Sequence, residues 1–273
     1  MDKSMVPVLE KKANEIRKDV INMLTEAGSG HAGGSLGAAD IMAVLYFSGL
    51  VNNFPENPHN EGRDRILLSS GHICPVWYAA LAEAGYFSKE KLMSLRKTGG
   101  IQGHPWLLEL PGVENTSGSL GQGLAQAIGQ ALAARMDGKS WRVYCILSDG
   151  ELEEGSNWEA LMLAPREKLD NLTVIISRNG TQIDGNTEEI MPLEPLAEKL
   201  RAFNWQVREA DGNNIGELTE ALEEAKNYKG KPGVIVARTI SGRGVAFMEG
   251  KYEWHGKVPN NEEAKEALKL LEN

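Results

Sequence analysis

Cysteine is nearly absent from this chain of 273 residues: Cys74 and Cys145 are the only two. Two thiols cannot build a disulfide framework, and such sparse use suits a reducing cytoplasm better than a secreted scaffold. Long hydrophobic runs are missing as well. Met42 to Phe47 and Leu172 to Ile176 fall far short of the ~20 apolar residues that cross a bilayer, so no membrane span is expected. The stretch from Met1 to Lys18 mixes Lys11, Lys12 and Arg17 with acids. It has no apolar core of signal-peptide length, and secretion is not expected. Positive charge is in deficit, since 29 Lys and Arg against 38 Asp and Glu leave a formal charge of -9. No basic cluster is present to neutralise nucleic-acid phosphates, which argues against a general nucleic-acid binder. An anionic cofactor remains possible if a metal ion or helix N-termini offset its charge locally.

What is present is ordinary for a folded domain: 41% hydrophobic and 25% charged residues. The length suits one large α/β domain over residues 1–273. Leu9, Ala13, Ile16, Val20, Met23, Leu24 and Ala27 recur at spacings of three and four, which predicts a helix over Val6 to Ala27, ended by Gly28. Gly28 to Gly37 holds too much glycine for regular structure and reads as a loop, with helix resuming from Ala38 to Ser48. Further along, strands are predicted at Arg65 to Leu68, Arg142 to Leu147, Leu172 to Ile176, Gln206 to Glu209 and Gly233 to Ala237. Between them fall helices at Cys74 to Ala84, Gly123 to about Arg135, Glu151 to about Leu163, Pro192 to Phe203 and Ile215 to Lys226. A short acidic helix from Glu262 to Asn273 closes the chain. Strand and helix alternate, so the crossovers are right-handed and the fold class is α/β: a three-layer sandwich with a mostly parallel sheet. In such sheets ligands bind beyond the carboxyl ends of the strands.

The chemistry-bearing turns fall at those ends. Ser148-Asp149-Gly150 ends one predicted strand and Asn179-Gly180-Thr181 follows the next. One helix and one strand fit between them, so both side chains can emerge at the same sheet edge. Magnesium wants octahedral oxygen ligands and keeps water and phosphate in its shell; a carboxylate, an amide oxygen and a backbone carbonyl meet that demand. Gly150 lets backbone amides approach a phosphate, and a helix beginning at Glu151 would turn its positive end to the anion. Asp-Gly and Asn-Gly are also common turn pairs, and each alone reads as no more than that. Four of the five histidines, His31, His72, His104 and His255, sit in glycine-flanked turns, where imidazole can face a ligand and move protons near neutral pH. His59 matches no motif and reads as solvated.

Ser29-Gly30-His31, Ser70-Gly71-His72, Gln102-Gly103-His104-Pro105, Gly118 to Gly123, Asp149 to Trp158, Lys168 to Asn171, Arg178 to Gly185 and Trp254-His255-Gly256 stand in the order found in transketolases. Along nearly its whole length the chain resembles the N-terminal, diphosphate-binding part of that thiamine diphosphate family. The resemblance implies that Asp149, Asn179 and the carbonyl of Thr181 hold Mg2+ (or Ca2+ or Mn2+ in its place). Gly150, His72 and His255 would contact the diphosphate, with Asn179 close by, and Gly118 and Leu120 would lie against the aminopyrimidine. His31, His104 and His255 would bind sugar hydroxyls and exchange protons. Glu154, placed among the cofactor-side residues, would join Glu159 in a carboxylate network between subunits.

The implied reaction is transfer of a two-carbon ketol unit from a ketose phosphate to an aldose phosphate, as in pentose phosphate metabolism. The family's pyrimidine-binding domain, which supplies the glutamate that activates the cofactor, has no match here. A C-terminal partner subunit is therefore expected to carry it, in an α2β2 assembly. Alternatives are half of a related thiamine enzyme, such as a deoxyxylulose phosphate synthase or a dehydrogenase component, or a cofactor-binding protein without catalysis. Four departures from the family pattern stand out: Ser148 for the usual glycine, Ser70 for a frequent lysine, Ala32 for a frequent proline, and Pro165-Arg166 for a His-containing pair.

Overall fold

The computed structural model describes residues 3–107 and 109–272. Helices α1 (Val6–Ala27), α2 (Ala32–Gly37) and α3 (Ala39–Phe47) precede strand β1 (Arg65–Leu68) and helix α4 (Cys74–Glu83). Helix α5 (Gly123–Met136), strand β2 (Val143–Ser148), helix α6 (Gly155–Arg166) and strand β3 (Leu172–Arg178) follow. A small hairpin, β4 (Thr181–Gln182) and β5 (Gly185–Asn186), leads through α7 (Thr187–Ile190) and α8 (Leu196–Ala202) to β6 (Gln206–Asp211). Helix α9 (Ile215–Asn227), strand β7 (Gly233–Arg238) and helix α10 (Asn261–Leu270) complete the chain.

The five long strands form one wholly parallel sheet in the order β1-β2-β3-β7-β6. Both faces are covered, which is why β1, β2, β3 and β7 read as near-continuous apolar runs rather than as alternation, whereas the edge strand β6 is polar and half-buried. Tyr144, Ile146, Ile175 and Ile235 point into a core shared with α1, α3, α4 and α9. Their neighbours Cys145, Leu147, Val174, Ile176 and Val234 point into a second core with α5, α6 and α8. The α/β three-layer reading therefore holds. The chain crosses the sheet in one direction from β1 to the edge strand β6 and turns back only between β6 and β7, which brings β7 in beside β3. No helix among the described residues is long and apolar enough to cross a membrane.

Four local predictions need correction. Gly28 to Gly37 is not all loop, because Ala32–Gly37 is a buried helix. Its glycines serve close packing rather than flexibility: a Cβ on Gly33 would lie 2.4 Å from Ser241 Oγ, and one on Gly37 would lie 2.8 Å from the Ile240 carbonyl oxygen. The helix predicted from Glu151 begins instead at Gly155, after a single 3-10 turn at Gly150–Glu153 and an extended Glu154. Asn157 Nδ2 and Trp158 Nε1 take the carbonyls of Glu151 and Leu152 at 2.6 and 2.8 Å, stopping that turn from running on. The helix predicted from Pro192 starts only at Leu196, since the Glu188 carboxylate accepts the amides of Leu193 and Glu194 and holds that stretch extended. The C-terminal helix ends at Leu270, and Asn273, to which it was predicted to run, lies outside the described residues.

Pro165 lies inside α6, where it cannot donate to the carbonyl of Leu161. The Trp205 indole N–H donates to that carbonyl instead, at 2.8 Å. This substitution of one donor for another explains how the helix tolerates the proline.

A buried polar junction holds the first histidine turn against the sheet. Arg17, 4% exposed, pairs with Asp40 and donates from Nε to the Leu36 carbonyl at 3.2 Å. Asn213 donates to the same Asp40 carboxylate at 2.6 Å, tying the loop after β6 to α2 and α3. Removing one member leaves the other charge buried and unpaired. Asp40→Ala is expected to lower stability by about 3–5 kcal/mol in urea denaturation; a loss below about 1 kcal/mol would show the pair to be dispensable.

Candidate functional site

The strand-end loops enclose a cleft of about 300 Å³. His31, His72, His104 and His255 all line it, with Gly118, Leu120, Gly150, Asn179 and Thr181. Of the residues singled out from sequence, Asp149 sits behind this lining with no exposed surface, and Glu154 is exposed outside it. His59 is exposed and elsewhere.

Each histidine owes its place to a local stop in regular structure. His31 precedes α2 in an extended conformation, His72 lies in the 3-10 turn between β1 and α4, and His255 follows the 3-10 turn Tyr252–Trp254. The rings of His31 and His72 are 5.0 Å apart, those of His31 and His255 5.7 Å, and those of His72 and His255 stack at 5.4 Å. His104 stands opposite Gly118, whose absent Cβ would lie 3.8 Å from its ring. Nδ1 of His31 and Nδ1 of His255 are buried with no partner. Leaving such a nitrogen unpaired costs about 1–3 kcal/mol, so both are arranged for something the chain itself does not provide.

Asp149 and Asn179 emerge side by side because β2 and β3 are parallel neighbours, with Ser148 opposite Ser177. Asp149 Oδ2 accepts from Arg178 Nη1 at 2.7 Å and from the Gly180 amide at 2.6 Å, while Oδ1 accepts only the Gly150 amide at 2.9 Å. With two lone-pair positions per oxygen, Oδ2 is filled and Oδ1 has one left, room for a single bond to a cation. Asn179 Oδ1 accepts the Thr181 amide and hydroxyl at 2.9 and 2.8 Å, and it can take a cation by releasing the hydroxyl. No three His, Cys, Asp or Glu side chains converge as a metal cage among the described residues. The donors on hand are the few hard oxygens that magnesium completes with water and phosphate, and the set fits that ion.

One side chain escaped the sequence reading. Glu151, expected as a charged first-turn residue, is fully buried and lines the cleft. Its carboxylate accepts from Ser69 Oγ, from Ser70 Oγ at 2.7 Å and from the Gly121 amide at 2.8 Å. The Ser148 amide also donates to Ser70 Oγ, at 2.7 Å. Two departures noted from sequence, Ser70 and Ser148, thus meet in one network, and only the run of three acids after Asp149-Gly150 could have hinted at it. Ser148 is not among the residues with positive φ, so serine brings no backbone strain there.

The sequence pattern of the family described as "Transketolase, thiamine diphosphate binding domain" matches residues 8–271. The chain belongs to this family. It is 44% identical to the 6-deoxy-6-sulfo-D-fructose transketolase subunit SqwG of Clostridium sp. (strain MSTE9), covering 97% of this chain and 96% of that one. It is 41% identical to an apulose-4-phosphate transketolase subunit from Actinobacillus succinogenes, again over 97% and 96%. The crystal structure of transketolase from Campylobacter jejuni superposes with a TM-score of 0.92 at 34% identity, over 98% of this chain but only 43% of that one. The chain therefore has the length of the transketolases named as subunits and spans less than half of the solved enzyme.

In this transketolase domain the clustered imidazoles are uncharged at neutral pH. Burial, reinforced by the neighbouring His255 and Arg96, pushes His31 down to about 4, and burial with His31 and His255 nearby pushes His72 down to about 3. Burial lowers His255 too, against the pull of Asp149, and lowers His104 with help from Arg96. Neutral imidazoles packed together can each accept a proton or donate one from N–H. The unfolded chain takes up protons near pH 6.5 and the folded chain resists. His31 and His72 therefore contribute stability that is present above that pH and lost as pH falls toward their folded values. Histidine ring resonances in NMR should show His31 and His72 still neutral at about pH 5; titration of His31 near pH 6.5 would refute the packing described.

Proposed function

We propose that this chain is the diphosphate-binding subunit of a split transketolase. It holds thiamine diphosphate through Mg2+ and transfers a two-carbon ketol unit from a ketose phosphate, or a comparable anionic ketose, to an aldose once a C-terminal partner carrying a pyrimidine domain closes the cleft. One observation carries this reading: the chain matches relatives named as transketolase subunits nearly end to end, while its own cleft gathers His31, His72, His104 and His255 on an open side.

Asp149 offers Oδ1 to the metal, Asn179 its amide oxygen and Thr181 its carbonyl; Ca2+ or Mn2+ would serve in place of Mg2+. His72, His255 and the backbone around Gly150 face the diphosphate. The Gly150 amide itself is engaged by Asp149, so its main service is to keep that position free of a side chain. Gly118 and Leu120 form the wall for the aminopyrimidine. The cofactor supplies the nucleophilic carbon that takes up and passes on the ketol unit. His31, His104 and His255 grip the sugar hydroxyls and move protons between them, which their neutral state permits. Glu154 and Glu159, both exposed on this chain, meet carboxylates or amides across a subunit interface of an α2β2 assembly. The protein works in the cytoplasm.

The decisive experiment combines this chain with its candidate partner, Mg2+ and thiamine diphosphate, and follows ketol transfer from a ketose phosphate. Activity is expected only from the combination; turnover by this chain alone would contradict the proposal. In the same complex Asp149→Asn should weaken magnesium-dependent cofactor binding by about a hundredfold while circular dichroism stays unchanged. Undiminished affinity in calorimetry would remove Asp149 from the metal site.

A further inference from the structure

Arg178 ends β3, one residue past the Ser177 that pairs in register with Ser148. Asp149 likewise stands one residue past Ser148, so the two lie side by side where their strands end. The Arg178 side chain is 9% exposed, and its guanidinium is almost fully committed. Nη1 donates to Asp149 Oδ2 and to Thr187 Oγ1, both at 2.7 Å. Nη2 donates to Glu188 Oε1 at 2.6 Å and to Glu194 Oε1 at 3.4 Å. Nε, also buried, has no partner among the described residues. Four of the five guanidinium donors thus join one acid behind the cleft lining to three residues of the segment that follows the β4–β5 hairpin.

That segment is itself fixed. Glu188 also accepts the amides of Leu193, at 3.1 Å, and Glu194, at 3.3 Å, and Glu194 Oε2 accepts the Leu196 amide at 2.8 Å. The outer end of the fork is therefore anchored, and its inner end sets the angle of the Asp149 carboxylate. With Oδ2 held by Arg178 and the Gly180 amide, Oδ1 is the oxygen left with a place for a cation. A guanidinium so close to a carboxylate also offsets the charge that attracts a metal. Glu188 and Glu194 offset the guanidinium in turn: three carboxylates share one cation, which leaves the group with negative charge in excess. Neither glutamate lines the cleft.

We infer that Arg178 is a positioning residue for the divalent cation: it turns Asp149 Oδ1 to the cleft and couples metal affinity to Glu188 and Glu194, which stand outside the cleft. A planar fork suits this role, since a lysine ammonium, a point charge on a flexible stem, cannot span Asp149, Thr187 and Glu188 in fixed directions. Partners that orient a metal ligand in this way are worth about 10- to 100-fold in affinity. Because this role rests on the magnesium reading of Asp149 and Asn179, the wild-type complex tests that reading separately.

Calorimetric titration of Mg2+ into the reconstituted complex at saturating thiamine diphosphate measures the coupling. Arg178→Met should weaken Mg2+ binding about tenfold or more, and Arg178→Lys should recover only part of that loss. Glu188→Gln, at a side chain 35% exposed, should weaken Mg2+ binding about threefold, and combined with Arg178→Met it should add nothing further. Unchanged affinity in Arg178→Met, full recovery by Arg178→Lys, or equal losses from Glu188→Gln with and without Arg178→Met would each overturn the role. Should Arg178→Met fail to fold, Arg178→Lys and Glu188→Gln decide, and unchanged affinity in both overturns it. Cofactor binding by the wild-type complex that ignores Mg2+ sinks the metal reading itself, whereas magnesium-dependent binding indifferent to Arg178 and Glu188 sinks this role alone.

Discussion

The parallel pairing of β2 with β3 is the constraint on which the site depends. It sets Ser148 against Ser177 and so delivers Asp149 into reach of the Gly180 amide and the Arg178 guanidinium. These two donors fill one carboxylate oxygen and leave the other with a free position facing the cleft, and they oppose the burial that raises the pKa of this acid with no exposed surface. A one-residue slip in that pairing would turn Asp149 into the apolar layer beside it, where no partner exists. Hydrophobic burial on both faces of the sheet therefore secures the register that the chemistry needs.

A second polar arrangement carries that order across the cleft. Glu151 joins the ends of β1 and β2 to the loop before α5 through Ser69, Ser70 and the Gly121 amide. Such a buried carboxylate is tolerable only because both oxygens are occupied. On the opposite side, Arg17, Asp40 and Asn213 brace α2, and α2 presents His31. The histidines thus hang on loops, and the turns of His31 and His72 are tethered to the core by these polar contacts, as positioned proton-transfer groups require.

Much of this was legible in the residues themselves. Apolar periodicity set α1 to the residue, with Gly28 in the left-handed conformation as its stop, and four of the five strands were recognisable as short apolar runs between turn residues. The turns bearing His31, His72, His104, His255, Asp149 and Asn179 could be picked out because glycine and polar residues cannot continue a buried strand or helix. Such rules are local, and they succeed where the backbone obeys near neighbours in the chain.

Tertiary structure decided what local rules could not reach. The glycines of α2 looked like loop residues, but they are helical, since Ser241 and Ile240 approach too closely for any side chain. Glu151 was expected to open a helix as a first-turn acid, and only the approach of serines from a distant strand end makes its burial possible. Pro165 is accommodated inside α6 because Trp205, far along the chain, provides the donor that the Leu161 carbonyl would otherwise lack. In each case composition and spacing determined which elements form and in what order, while close packing between segments remote in sequence determined which polar groups could be buried.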